Sequence, residues 1–171
     1  MSNKTWLLAM DLDGTVWDHL DISKVELPYK KIADGILENS QGIIVRVYKE
    51  ALEFIGWAKM NGAIVTSLSW NIPENAVEAL KTLGIYGIFD YHLIEYHPDK
   101  YKMLMKLLNE LEIKGIKISA ENIVYVDDRD IHINDIKKNI GNVLFIHMWK
   151  DAKSYEDAKK IIMEKIIGSG I

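Results

Sequence analysis

The stretch Trp6-Leu7-Leu8-Ala9-Met10-Asp11-Leu12-Asp13-Gly14-Thr15-Val16-Trp17-Asp18 decides how the rest of the chain is read. Residues 6–10 are an apolar run of the length of a strand buried on both faces. The run stops at two carboxylates separated by one leucine, then Gly14. At the end of a central parallel strand, these side chains project into the crevice where open α/β sheets bind ligands. Strand alternation puts Asp11 and Asp13 on one face and turns Leu12 back into the protein. Adjacent carboxylates repel, and a bound cation or a shared proton relieves the repulsion. A loop opening at Gly14 brings backbone N–H groups close to a phosphate oxygen. Taken alone, an Asp-x-Asp-Gly is equally well a pair of solvated acids at a turn, so the remaining chain has to decide.

Outward from this stretch, residues 18–34 mix charge, apolar residues and Pro28 without a sustained period and read as an irregular excursion. Gly35–Glu38 and Ile43–Val47 are β-prone runs around the polar turn Asn39-Ser40-Gln41-Gly42, which predicts a hairpin. Residues 18–47 therefore read as a small insertion between the first strand and the first helix, flanking the site, or equally well as an ordinary surface loop with a hairpin. Residues 49–60 place Leu52, Ile55 and Met60 near one helical face and stop before Asn61-Gly62. Ala63–Ser67 is a second buried strand. Residues 73–83 form a helix with Pro73 and Glu74 in its first turn. A third strand is expected over Ile88–Glu95. The helix opening at Lys100 and running to about Glu112 carries Met103, Leu104, Leu107, Leu108 and Leu111 at helical spacing. Residues 122–126 form a fourth strand that runs into Asp127-Asp128. A helix over 131–140, a strand over 143–146 and an amphipathic helix over 154–167 complete the alternation. Strands alternating with helices predict an α/β fold: a doubly wound, Rossmann-like parallel sheet of about five strands with a small hairpin insertion and no large cap domain. No repeat or linker divides the chain, so 1–171 is expected to be one domain.

Composition narrows the classes. The chain has 171 residues, enough for a sizeable core, and no cysteine, which excludes disulfides, zinc–thiolate sites and cysteine nucleophiles. A formal net charge of −4 argues against nucleic-acid and membrane-surface partners. No apolar run is long enough to span a bilayer, and the N-terminus lacks the design of a signal peptide. The expected location is the cytoplasm. Oligomeric state is not readable.

Chemistry gathers at the carboxyl ends of the strands. The first ends in Asp11 and Asp13, the second in Thr66, Ser67 and Ser69, the fourth in Asp127 and Asp128, and Lys100 starts the helix after the third. Several carboxylates together require a cation, and an oxygen-only set without His or Cys favours Mg²⁺. A serine hydroxyl and a lysine ammonium suit the remaining oxygens of a phosphate. A second carboxyl can protonate a leaving oxygen and then activate water. Ser69 reads as a loop hydroxyl. Trp17 and Trp70 suit either a pocket wall or core packing, and His19, His92, His97 and His147 read as structural. Lys137-Lys138 reads as a solvated helix face.

In this order, Asp11-Leu12-Asp13-Gly14-Thr15, then Ser67, Lys100 and Asp127-Asp128 resemble the four motifs of the haloacid dehalogenase-like superfamily, and the likeness covers nearly the whole chain. Asp-Leu-Asp-x-Thr-x-Trp, the short insertion and the Asp-Asp pair before a helix resemble its magnesium-dependent phosphatase branch. The resemblance implies that Asp11 is the nucleophile, forming an aspartyl-phosphate. It implies that Asp13 is the general acid/base, with its carbonyl on the metal, and that Thr15 is a support. Phosphate-binding groups are implied at Leu12, Gly14, Ser67 and Lys100. The metal falls to Asp11, Asp13 and Asp128, with Asp127 the second choice for the last position or turned toward Lys100. Two positions depart from the branch: Leu68 stands where an arginine is frequent, and His132 where Asn or Asp is common.

The function this implies is Mg²⁺-dependent hydrolysis of a phosphomonoester, on a phosphoprotein side chain or a small phosphometabolite such as a sugar phosphate. A phosphotransferase or phosphomutase would keep the same acids, and a non-catalytic phosphate-binding module is a further alternative. A dehalogenase typically lacks the second acid, so Asp13 argues against it. A phosphorylatable receiver would carry its acid pair first, whereas here the adjacent pair comes last. With so little material for a cap, the site is expected to be open.

Overall fold

The computed structural model describes residues 4–168. Five parallel strands form the main sheet: β1 (Trp6–Met10), β5 (Ala63–Trp70), β6 (Tyr91–Glu95), β7 (Ile123–Asp127) and β8 (Leu144–His147), in the order β6-β5-β1-β7-β8. Every residue of β1 is buried, as expected of an apolar run with a neighbour on each side and helices on both faces. β1 pairs Met10 with Ser67 on one side and with Val126 on the other. The chain winds outward from β1 through β5 to β6, then returns to β7 and β8. The switch point therefore lies between β1 and β7, where Asp11 and the Asp127-Asp128 pair end their strands.

The helices divide between the two faces. Helices α1 (Lys49–Met60), α2 (Pro73–Thr82) and α5 (Tyr155–Ile162) bury Phe54, Ile55, Leu80, Tyr155 and Ile162 in the core that also takes Leu8 and Met10. Helices α3 (Lys100–Ile113) and α4 (Ile133–Asn139) bury Met103, Leu104, Leu107, Leu111 and Ile136 against Leu7 and Ala9. Pro73 supplies the first turn of α2, and Ser154 caps α5 by accepting from the Asp157 N–H at 3.1 Å. The expected α/β, doubly wound, Rossmann-like architecture is the one observed. No helix among the described residues is long and apolar enough to cross a membrane.

Several local expectations need correction. The expected hairpin forms from β3 (Ile36–Asn39) and β4 (Ile44–Arg46), and a further antiparallel strand, β2 (Tyr29–Ala33), extends it to three strands. β2 was legible only as irregular chain because Lys30, Lys31, Ile32 and Ala33 are all exposed, so this edge strand has no inward face to impose alternation. The third strand of the main sheet begins at Tyr91, since Tyr86–Ile88 form a short 3₁₀ turn. The last helix gives way at Met163 to a wider π turn. Met60, at the open end of α1, is exposed.

Candidate active site

The ends of β1 and β7 and the start of α3 create a buried acidic group. Asp11 is 4% exposed; its Oδ1 accepts from Lys100 Nζ at 2.9 Å and its Oδ2 lies 3.2 Å from Thr15 Oγ1. Thr15 Oγ1 also accepts from the Asp128 N–H at 3.1 Å and lies 3.4 Å from Asp128 Oδ1, so one hydroxyl spans the two acids. Lys100, 1% exposed at the start of α3, also donates to Asp127 Oδ2 at 2.9 Å. Asp127 receives further donors from Tyr125 Oη and from the Arg129 N–H, the latter at 3.0 Å. The structure thus brings together Asp11, Lys100, Asp127 and Asp128 from three separate elements.

The electrostatics follow from burial. Desolvation, then the neighbouring Asp127 charge, lifts Asp11 well above the usual carboxylate range, with Lys100 opposing. Burial also works against the charge of Asp127. The Lys100 ammonium and the Tyr125, Lys100 and Arg129 hydrogen bonds outweigh it and hold Asp127 at about 2. Burial disfavours a charged Lys100, but Asp11 and Asp127 together raise it. Desolvation lifts Asp128 as well. Three carboxylates against one ammonium leave an excess of negative charge in a dry site.

That excess, and an all-oxygen donor set, fit a hard divalent cation. Carboxylate oxygens of Asp11, Asp127 and Asp128 lie within 4.8 Å of one another. Asp127 already spends both oxygens on Lys100, Tyr125 and the Arg129 N–H, whereas the half-buried Asp128 carboxylate has Thr15 Oγ1 as a donor and otherwise stands against the carboxyls of Asp11 and Asp127. The donors that remain are therefore on Asp11 and Asp128. The Asp13 side chain lies outside this group.

Asp13 instead sits at the edge of a cleft, fixed by three donors: Trp17 Nε1 at 2.8 Å and the Ile22 N–H at 3.0 Å on Oδ1, and Asn71 Nδ2 at 2.8 Å on Oδ2. Burial raises its pKa while the bonds from Trp17, Asn71 and Ile22 pull the other way. Asn71 also donates to Ser69 Oγ at 2.7 Å, and its Oδ1 accepts from Ser23 Oγ at 2.6 Å. Leu20, Asp21, Ser23 and Lys24 of the insertion, with Trp70, Ile72, Tyr96 and Arg129, wall a cleft of about 300 Å³ beside Asp13. No residue of β2–β4 lines it; their sheet leans on α2, where Tyr29 accepts from Asn75 Nδ2 at 3.2 Å.

Two residues expected in the phosphate cradle are placed otherwise. The Ser67 hydroxyl is buried inside β5, one level below Asp11, and shares a 2.8 Å hydrogen bond with His92 Nδ1. The serine beside the Asp13 network is Ser69. Gly14 spends its N–H on the His19 carbonyl at 3.0 Å, so it shapes the turn and donates nothing outward. Its φ of +67° and its closeness to Asp128 explain the glycine, because a Cβ there would collide with Asp128 Oδ2. The Leu12 N–H takes no part in this turn. Leu68 is fully buried in the core beneath α3, whereas Trp70, which follows Ser69, lines the cleft.

Other contributors were not legible. Trp17 is fully buried and bonds Asp13, settling its role as packing plus anchor. Trp149 Nε1 donates to the Gly14 carbonyl at 2.8 Å, Tyr155 Oη to the Thr15 carbonyl, and His147 Nε2 to the Asp128 carbonyl at 2.9 Å. Tyr125 had a usable signal: it stands two residues before Asp127 on one strand and so shares its face. Asn71 had none, being 58 residues from the acid it holds.

No protein-family model and no curated protein matches the sequence. Solved structures match the fold. One is the N-terminal part of a Bacteroides fragilis protein containing a phosphatase domain, complexed with Mg: TM-score 0.62, 17% identity, 94% of this chain and 40% of that one. This chain thus spans less than half of that structure's length. Another is the 3-deoxy-D-manno-octulosonate 8-phosphate phosphatase of Moraxella catarrhalis, in complex with magnesium ion, phosphate ion and KDO: TM-score 0.53, 18% identity, covering 94% and 87%. A third is the HAD domain of a Legionella pneumophila effector protein, an inactive mutant: TM-score 0.61, 14% identity, covering 94% of each. The chain therefore has the haloacid dehalogenase-like fold, the fold of these structures.

Proposed function

We propose that the protein is a Mg²⁺-dependent phosphomonoester hydrolase that works through an aspartyl-phosphate on Asp11, as one cytoplasmic domain. The observation that carries this reading is the burial of Asp11 against Lys100 beside two further carboxylates, with a separately anchored acid two residues later. Asp11 and Asp128, with the Asp13 carbonyl, would hold Mg²⁺, and Asp127 anchors Lys100. Bound Mg²⁺ supplies positive charge that partly neutralises the phosphate and lets an anionic nucleophile approach phosphorus.

The residues of the chain divide the remaining work. The Asp11 carboxylate bonds to phosphorus as the P–O bond to the leaving group breaks, and Asp13 delivers a proton to the departing oxygen. Water then attacks phosphorus, Asp13 takes its proton, and inorganic phosphate leaves with Asp11 restored. A raised pKa suits Asp13 to carry that proton, and Asn71 and Trp17 aim it. Lys100 holds the nucleophile and a phosphoryl oxygen. Ser69, in place of Ser67, supplies the hydroxyl, and the N–H of Leu12 a backbone donor.

The test is hydrolysis of p-nitrophenyl phosphate by the wild type with Mg²⁺, with EDTA, and by Asp11→Asn. Turnover that needs the metal and vanishes in Asp11→Asn is expected. Turnover that survives in Asp11→Asn would sink the aspartyl-phosphate.

A further inference from the structure

The cleft beside Asp13 carries groups for which phosphoryl transfer has no use. Of its two acids, Asp13 is saturated by three donors and Asp21 stands 3.8 Å from Lys24 Nζ. Arg129 lines the same cleft and is exposed, and its guanidinium makes no hydrogen bond or ion pair among the described residues. Its backbone is fixed, since its N–H donates to Asp127 Oδ1 at 3.0 Å directly after Asp128. Opposite lie ring surfaces: Trp70 is 40% and Tyr96 69% exposed, an unusual outlay of aromatic area around one opening.

An unpaired guanidinium matches the planar, two-oxygen geometry of a carboxylate or phosphate, and exposed rings match a planar or apolar face. We propose that Arg129, Trp70 and Tyr96 form a leaving-group subsite, so that the substrates are small phosphomonoesters whose alcohol part bears a planar or apolar face and a second anionic group. This rests on the phosphohydrolase reading, because the transferred phosphoryl group must sit at Asp11 for the leaving group to fall in the cleft. A volume of about 300 Å³ lies at the small end of ligand sites and suits a compact alcohol in preference to a folded protein surface.

The experiment measures binding, so that it does not depend on turnover. Benzylphosphonate and 4-(phosphonomethyl)benzoate are non-hydrolysable and differ only in the carboxylate. Their Kd values are measured by calorimetry with Mg²⁺ present, for the wild type, Arg129→Gln and Arg129→Lys. The wild type is expected to bind the carboxylated compound about tenfold more tightly, the order of one charge-assisted contact. Arg129→Gln should erase that preference and Arg129→Lys keep part of it. A preference that survives Arg129→Gln overturns the proposal. So does equal affinity of the wild type for both compounds, failure of both to bind, or an Arg129→Gln loss that is the same for each. The last pattern would assign Arg129 to the transferred phosphoryl group. Hydrolysis of p-nitrophenyl phosphate, run alongside, reports on the catalytic reading separately.

Discussion

Replacing Lys100 by methionine removes the one cation inside the acidic group while keeping most of the side-chain volume. Lys100 is 1% exposed and makes 2.9 Å contacts to Asp11 and Asp127. Breaking a buried pair costs about 3–5 kcal/mol because an uncompensated charge stays behind, a large part of the total stability of such a domain. The pH dependence gives the sharper test. Asp127 is held at about 2 against 3.8 unfolded, worth about 2 kcal/mol. With its folded pKa depressed, that stability is present above about pH 4 and lost as pH falls through about 2. Asp11 runs the other way: its folded pKa is raised, so its contribution declines as pH rises through that value. In Lys100→Met, only the Tyr125 and Arg129 hydrogen bonds still oppose burial at Asp127, so its pKa moves up toward that of Asp11. The variant should therefore lose about 3–5 kcal/mol at pH 7.5 and less at pH 5, because protonation of the raised acids relieves the uncompensated charge. Urea unfolding of both proteins in EDTA at the two pH values measures this. A loss under about 1 kcal/mol at pH 7.5, or the same loss at both values, refutes the reasoning.

Gly14→Ala should destabilise by about 2–4 kcal/mol, combining a left-handed backbone with a collision at Asp128, as read by thermal unfolding. His132 is held at about 4, chiefly by burial and then by Lys100, against 6.5 unfolded. Its contribution, up to about 3 kcal/mol, should be present above pH 6.5 and fade as pH falls toward 4, and His132→Phe should flatten that limb in chemical-denaturation curves. Mg²⁺ at about a hundred times its Kd should stabilise the wild type by about 2.7 kcal/mol, and the same concentration should do far less for Asp128→Asn in a thermal shift assay. Equal shifts would remove Asp128 from the metal.

Local sequence by itself determined the architecture. The apolar run of residues 6–10, the periodic leucines of α3 and the regular alternation of strands with helices leave few folds that bury every apolar face. The acids were equally legible, because a carboxylate at the end of a buried strand has an environment its neighbours in sequence already dictate. What the tertiary structure decided is every relation between elements distant along the chain. Ser69 joins the Asp13–Asn71 network while Ser67 bonds His92, and β5 runs three residues beyond its predicted end, to Trp70. Asp127 rather than Asp128 turns to Lys100, and Tyr125 and the Arg129 N–H occupy its oxygens as well. Asp13 is aimed by Asn71, 58 residues away, and by the insertion at Ile22. Hydrogen bonds of this kind depend on distances of tenths of an ångström between side chains that meet only when the sheet closes, and periodicity carries no record of them.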